Sequence, residues 1–336
     1  MSDLPWHEPA FLADVTAWID ARLADACLRR TGPIEQPHAF WWSTALRFPT
    51  DDGPMWCKAV QPDGRFEVRL TALLAGRWPD RTVAVVAADA ERGWMLTRDA
   101  GTKLRELDDG RVVEHWEALL PRYAEMQREL TGSVGELVTM GVPELRLASL
   151  PSGLASLLEE PELLLEDRDG GVDADRLAAL RSGLPAFTDA CARLAALPIP
   201  ETLQHDDLNE GNAFLREADH VVFDWGDAVI THPFHSLVVA LRSLAYRHKW
   251  QPGGPEVERL LAAYLEPWSG VGSRAELADA ADLARWTGTI QRSLAWRRAV
   301  LGMPPDLRSE YVDSVPYGLR LALLDGPWGT WDDGSF

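Results

Sequence analysis

Residues 203–228 read LQHDDLNEGNAFLREADHVVFDWGDA, with His205, Asp207 and Asn212 close together and Asp224 twelve residues after Asn212. Phosphoryl transfer needs a divalent metal ion that bridges the phosphates and a carboxylate that orients the attacking hydroxyl and accepts its proton. Mg²⁺ takes hard oxygen ligands, usually one or two carboxylates with phosphate oxygens and water. A carboxylate from Asp224 and an amide oxygen from Asn212 would meet this need, with Asp207 facing the acceptor hydroxyl.

The residues beside these side chains support the same interpretation. VVF before Asp224 predicts a short strand that would hold the carboxylate rigidly. Asn-Glu-Gly before Asn212 predicts a tight loop that turns the amide back toward the metal.

The two motifs resemble the catalytic loop and metal-binding motif of the aminoglycoside phosphotransferase and choline kinase family, small-molecule relatives of the protein kinases. The common family forms are H-G-D-L-x-x-x-N and [IV]-D-[WF]; this chain has HDDLNEGN and VFDW. The resemblance implies that Asp207 is the catalytic base, that Asn212 and Asp224 bind Mg²⁺, and that His205 braces the loop. It covers roughly residues 35–245 by motif order, with no specific match in the first 30 or last 90 residues.

The family resemblance also implies a lysine on a strand, paired with a glutamate on the next helix, that holds the phosphates of ATP. Lys58 in MWCKAV and Glu67 at the start of FEVRLTALL are the candidates. By themselves they would be read as an exposed strand lysine and a carboxylate that complements a helix dipole. Their position upstream of the catalytic loop favours the functional interpretation.

GWMLTRDAGTKL resembles the hinge of the same family. The resemblance implies backbone hydrogen bonds to adenine near Leu96, Arg98 and Asp99, with Ala100-Gly101 allowing the lobes to move. ATP is the expected nucleotide, and GTP remains a second candidate.

The pattern along the chain predicts an α+β protein with an antiparallel sheet in its first part. Residues 8–30 show the apolar spacing of an amphipathic helix, and GRFEVRLTALLAG shows a second one. TDDGP between two strand candidates predicts a hairpin turn. The strand candidates are AFWWSTALRF, MWCKAV, TVAVVAAD and GWMLTR.

Beyond residue 100 the sequence becomes mostly helical, except for two short strand candidates, NAFLR and HVVFDW. With the family resemblance, this shift predicts a two-lobed protein-kinase-like fold. Residues 1–98 would form the nucleotide-binding lobe, and residues 99–336 the mainly helical catalytic and substrate-binding lobe. The acidic stretch 158–175 is a candidate lid, although a solvated helix end followed by a linker is the preferred interpretation.

Composition limits the partners of this 336-residue chain, which has a formal net charge of −19. It has no Lys/Arg-rich run typical of nucleic-acid binding and no uninterrupted apolar run of membrane-span length. Because the N-terminus lacks the features of a secretory signal, a cytoplasmic protein is expected. The acidic balance slightly favours a cationic small-molecule acceptor, although it also serves solubility. The sequence carries no signal for oligomeric state.

Three scattered cysteines, Cys27, Cys57 and Cys191, argue against a zinc ribbon or a disulfide framework. We expect them to be buried apolar residues in a reducing compartment.

Three features depart from the family pattern. Asp206 replaces the glycine of H-G-D, where it would either raise a carboxyl pKa beside Asp207 or point to solvent. The phosphate-covering loop offers only Ser43 and Thr44 as small residues. THPFHSL stands where many relatives have an acidic residue that braces the catalytic loop. His232, His235 and Ser236 are the candidates to replace that acidic residue, although His235 is expected to be a packing residue.

Other protein classes fit the sequence less well than a kinase does. A catalytically weak, pseudokinase-like binding module would usually have lost at least one site residue. An HD-type metal hydrolase built on His205-Asp206 would need histidines upstream, where only isolated ones occur. No GxxxxGK[ST] motif is present, and GVGSRA at residues 270–275 does not follow a strand, so Ser273 is better read as a helix N-cap.

Overall fold

The computed structural model describes residues 4–166, 168–251 and 253–324. It contains ten strands and twelve α-helices within these residues. The strands are β1 Glu35–Ala39, β2 Ser43–Thr50, β3 Gly53–Val60, β4 Val85–Asp89, β5 Trp94–Arg98, β6 Thr102–Lys103, β7 Thr202–Gln204, β8 Ala213–Arg216, β9 Asp219–Val222 and β10 Val229–Thr231. The helices are α1 Pro9–Asp25, α2 Phe66–Arg77, α3 Val112–Leu130, α4 Val134–Thr139, α5 Leu150–Leu157, α6 Pro161–Leu164, α7 Ala174–Ala195, α8 Ser236–His248, α9 Pro255–Leu265, α10 Arg274–Gly302, α11 Pro305–Arg308 and α12 Ser314–Leu324.

The chain divides into two compact units. The first comprises residues 1–107 with the inserts 140–142 and 211–226, and the second comprises the remaining residues. The β8–β9 hairpin therefore belongs with the N-terminal residues, although it is distant from them in sequence. The predicted lobes, residues 1–98 and 99–336, stay a prediction.

The first unit is built on a five-stranded antiparallel sheet in the order β1-β2-β3-β5-β4. TDDGP closes the β2–β3 hairpin as predicted, with Thr50 opposite Gly53. Alternate residues of these strands, including Phe48 and Met55, face one side. There they pack with apolar side chains of α1 such as Val15 and Ile19. The apolar side chains of α1 and those on one face of the strands thus form one core.

A second, three-stranded sheet of this unit has the order β6-β8-β9. Gly101 precedes β6 with φ +96°, and an added Cβ would lie 2.2 Å from the Leu215 carbonyl oxygen. Glycine is therefore required at position 101 by the close approach of two backbones.

The second unit is mainly helical, with the β7–β10 pair as its one small sheet in the described residues. Ser273 caps α10 in a reciprocal pair with Glu276, as the sequence predicted. Farther along α10, a Cβ on Gly288 would lie 2.8 Å from Val238 and 3.0 Å from His235. The missing side chain lets α10 lie directly against the start of α8.

Several local predictions were wrong. β1 was not predicted, because a polar strand that contains Pro37 carries little apolar signal; it is an edge strand, where proline is tolerated. The 158–175 stretch contains α6 and buries Leu164 and Val172, so it is more than the expected solvated helix end and linker. Cys27 is exposed, whereas Cys57 and Cys191 are buried as expected.

Seven of the thirteen tryptophans in the described residues are buried in the core. Trp42 is an exposed exception. The buried ones are Trp6, Trp18, Trp78, Trp94, Trp116, Trp225 and Trp268. In the described part of the chain, no helix has both the length and the apolar character required to cross a bilayer.

Candidate active site

The first unit brings together three residues that the sequence analysis singled out. Lys58 on β3 places its Nζ 2.6 Å from Glu67 Oε1 on α2 and 2.6 Å from Asp224 Oδ1 after β9. The Glu67 side chain is almost fully buried, whereas that of Asp224 is half exposed. The ammonium group is therefore held by the buried carboxylate of Glu67 (the inner one) and also contacts the half-exposed carboxylate of Asp224 (the outer one).

These two carboxylates keep the lysine charged. Burial alone would lower the pKa of Lys58, but the charges and hydrogen bonds of Asp224 and Glu67 outweigh it and raise the pKa above its ordinary value. The site thus holds a fixed positive charge, which is the property needed to bind phosphate oxygens.

Asn212 and Asp224 flank the same end of the β8–β9 hairpin. Ala213 pairs with Val222, and just beyond this pair the Phe223 N–H donates to the Asn212 carbonyl oxygen at 3.0 Å. Asp224 itself adopts a left-handed backbone with φ +70°. The hairpin thus supplies one carboxylate and one amide side chain at neighbouring positions, a donor set that suits Mg²⁺.

The predicted hinge residues lie at the end of β5. Leu96 is buried and paired with Cys57 in the sheet. The Arg98 N–H donates to the Ala84 carbonyl at 2.9 Å, and a backbone contact to adenine near Arg98 stays a prediction. The Asp99 carboxylate accepts from Trp56 Nε1 at 2.9 Å. An adenine contact near Leu96 and Asp99 stays a prediction.

The turn between β1 and β2, the predicted phosphate-covering loop, is aromatic. The Phe40 N–H donates to the Ser43 carbonyl at 2.9 Å, and the rings of Phe40 and Trp42 stack with centroids 5.2 Å apart. Ser43 and Thr44 are buried at the start of β2, where the Thr44 hydroxyl donates to the His38 carbonyl. The two small residues thus pack inside the sheet and do not form a flexible loop.

In the second unit, the predicted catalytic loop begins at the fully buried His205. Its Nδ1 accepts from the Asp207 N–H at 3.3 Å. The backbone N–H of His205 donates to the Tyr123 hydroxyl at 2.9 Å. That hydroxyl lies 2.9 Å from Ser236 Oγ. Because burial raises the pKa of Tyr123, its hydroxyl is neutral, and a neutral pair holds this loop. Ser236 was a predicted candidate; Tyr123 on α3 was missed.

The other two candidate braces are packing residues. His235 lies between the hydroxyls of Thr231 and Thr287, at 3.1 and 3.0 Å. His232 accepts from the Phe234 N–H. Burial lowers the pKa of His232 to about 3 and that of His235 well below its usual range, so both rings are neutral.

The buried histidines make stability depend on pH. Because the folded pKa of His232 lies below the unfolded value, the unfolded state binds the extra proton, and stability falls as pH drops below about 6.5. Between pH 7.5 and 5.0 we expect His232 to contribute about 2 kcal/mol to this loss. His232→Asn, which keeps an acceptor but cannot titrate, should reduce the loss by that amount in urea unfolding. The same change at the exposed His7 is the control, and an equal reduction there would contradict the assignment.

Asp206 does not point to solvent. It is almost fully buried and contacts the side chains of Gln204, Gln291 and Arg292 at 3.2, 3.3 and 3.1 Å. Burial raises its pKa, and Arg292 offsets part of that effect. Its φ of +62° lies in the left-handed region, which explains why glycine is the common family residue here.

Asp207 is one-third exposed, and the polar neighbours of its carboxylate include Asn209 and Arg292. Asn209 Nδ2 lies 3.2 Å from Oδ2, and an Arg292 nitrogen lies 3.4 Å from Oδ1. Arg292 comes from α10, in the part of the chain that matched nothing specific. It was missed because no local pattern links residues 85 positions apart.

Comparisons with known proteins identify the group to which this site belongs. The model of the phosphotransferase enzyme family matches residues 45–287. A Plasmodium vivax ethanolamine kinase superposes with a TM-score of 0.60 at 12% identity, covering 95% of this chain and 90% of that one. A type I macrolide 2'-phosphotransferase gives 0.56 at 15%, covering 92% and 97%. A spectinomycin phosphotransferase in complex with ADP and spectinomycin gives 0.50 at 12%, covering 91% and 94%.

At these identities the solved structures show the fold alone, and no curated protein matches the chain. They confirm the predicted α+β, protein-kinase-like architecture. The family match spans well over half of the sequence and confirms the resemblance carried by HDDLNEGN and VFDW. The chain belongs to the phosphotransferase enzyme family.

Proposed function

We propose that this protein transfers the γ-phosphoryl group of ATP to a hydroxyl of a small molecule with the help of Mg²⁺. The observation that carries the proposal is the pairing of Lys58 with Glu67 and Asp224. A buried lysine fixed between an inner and a half-exposed carboxylate provides a charge for phosphate and an oxygen ligand for a metal. GTP is the second candidate donor.

Residues of this chain have the charges and oxygen ligands that MgATP would need. Lys58 would bind phosphate oxygens, with Glu67 fixing its ammonium group, while Asn212 and Asp224 would hold Mg²⁺. When bound, MgATP supplies the transferable phosphoryl group and the charge of the metal. Asp207 would orient the acceptor hydroxyl and accept its proton.

The acceptor is proposed as a class only. The compared structures are named for ethanolamine, a macrolide and spectinomycin, and each of these compounds is tied only to the protein that carries its name. For this chain we propose a small molecule with a free hydroxyl, and the net charge of −19 favours a cationic one. We propose a cytoplasmic location, where ATP, the proposed donor, is available.

A thermal-shift titration with ATP, GTP and Mg²⁺ tests the nucleotide site. Wild-type protein should gain about 2.7 kcal/mol of stability at a nucleotide concentration of 100 Kd, and the gain should require Mg²⁺. Asp224→Ala should lose the gain, measured against its own nucleotide-free baseline, because a metal ligand is removed. Asp219→Asn on the same hairpin is the matched control and should keep it.

The opposite result has a definite meaning. If wild-type protein shows no shift with either nucleotide at several millimolar, the chain is a pseudokinase-like binding module. A positive shift leads to a screen of hydroxyl compounds for ADP release, which identifies the acceptor.

A further inference from the structure

Arg292 joins three carboxylates in the second unit. One terminal nitrogen lies 3.1 Å from Asp206, and the other lies 3.4 Å from Asp207 and 3.6 Å from Asp227. The guanidinium also lies over the ring of Trp296, 5.4 Å from its centroid. The arginine is thus fixed on several sides, and one of its contacts is the proposed catalytic base.

The position of Arg292 follows from the packing of α10. Gly288 allows this helix to lie against His235, at the start of α8. Residues three and four positions farther along a helix lie on the same face. Gln291 and Arg292 are those residues, and both contact Asp206.

The two ends of the guanidinium have different tasks. Asp206 is buried, so its carboxylate needs a counter-charge, and Arg292 supplies it. The rigid fork of the arginine then presents its other nitrogen to Asp207 Oδ1, while Asn209 approaches Oδ2. The orientation of the Asp207 carboxylate is thereby determined by a residue anchored on Asp206.

We propose that Arg292 is a positioning residue for Asp207, anchored by Asp206, that holds the carboxylate in the orientation for accepting the proton of the acceptor hydroxyl. This inference rests on the proposed function of Asp207. It also explains a buried aspartate at a position where the family commonly has glycine: Asp206 serves as the anchor for the arginine.

The Asp206→Gly background separates positioning from simple charge neutralisation. In wild-type protein, Arg292→Gln leaves Asp206 buried without its counter-charge and lowers stability. In Asp206→Gly no such carboxylate remains, and glycine suits the left-handed backbone. There, Arg292→Gln should cost little stability but should still lower turnover.

The turnover test measures ADP release from MgATP with water as the acceptor. Arg292→Gln should lower kcat about 10- to 100-fold with an unchanged KM for MgATP, because the base is misplaced and the nucleotide site is not. Arg292→Lys should recover part of the loss. Arg297→Gln, on the same helix but paired with Glu160, is the control and should retain wild-type turnover. The proposal is overturned if Arg292→Gln in the Asp206→Gly background turns over as fast as Asp206→Gly alone.

A second readout does not need turnover. Carbodiimide modifies protonated carboxyl groups, and loss of a cation raises the pKa of a neighbouring carboxyl. Near pH 6, Asp207 in Arg292→Gln should be labelled about tenfold faster than in wild type. The exposed Asp189, quantified by peptide mass spectrometry, is the internal reference, and an unchanged ratio overturns the contact.

The two readouts distinguish the failure of this proposal from the failure of the proposed function. If Asp207→Asn releases ADP as fast as wild type, or if wild type gains no stability from MgATP, the proposed function has failed. The labelling of Asp207 still shows whether Arg292 acts on that carboxylate.

Discussion

Asp207→Asn should lower phosphoryl transfer about 10²- to 10⁴-fold, the usual contribution of a general base. Asparagine has nearly the same shape as aspartate but cannot accept the proton of the attacking hydroxyl. Because the side chain is partly exposed, the loss of its charge should leave the fold intact. ADP release measures the first effect, and urea unfolding measures the second.

Asp189→Asn is the matched control for this substitution. Asp189 is an exposed aspartate on α7, so the same chemical change there should leave turnover at the wild-type level. Near-normal turnover in Asp207→Asn, with the protein folded, would show that another group accepts the proton.

Lys58→Met should have the second large effect, on both nucleotide binding and stability. The substitution removes the charge proposed to hold phosphate and leaves the carboxylate of Glu67 buried without its cation. Breaking a buried pair in this way costs about 3–5 kcal/mol in free energy of unfolding. Urea unfolding, together with the thermal shift on adding MgATP, measures the two losses.

The double variant Lys58→Met with Glu67→Gln separates these losses. Without the buried carboxylate, most of the unfolding free energy should return, because a neutral pair carries no uncompensated charge. The nucleotide-dependent shift should remain absent. If the double variant regained that shift, Lys58 would not be the phosphate-binding group.

Local patterns predicted much of the fold. The turn chemistry of TDDGP located the β2–β3 hairpin, and the helical spacing of GRFEVRLTALLAG matched α2 from Phe66 to Arg77. Three-residue strands such as β7 and β10 were not predicted, because a pattern of period two needs more residues to be recognised.

At the candidate site, the sequence identified residues whose motif is local. Lys58, Glu67 and Asp224 were chosen from their order along the chain, and the structure brings their charged groups together. Arg292 and Tyr123 were missed because they reach the loop through tertiary packing of helices distant in sequence. A hydrogen bond between remote positions leaves no periodic trace in a single sequence.

The left-handed aspartate at position 206 also limits the order in which this loop can have arisen. An ancestor with the common glycine that gained aspartate first would have carried a buried, unpaired carboxylate on an unfavourable backbone. Arginine at position 292 could have come first, since Asp207 and Asp227 already offer it partners. Related sequences should therefore show arginine at 292 with glycine at 206 more often than the reverse combination, and the two positions should change together.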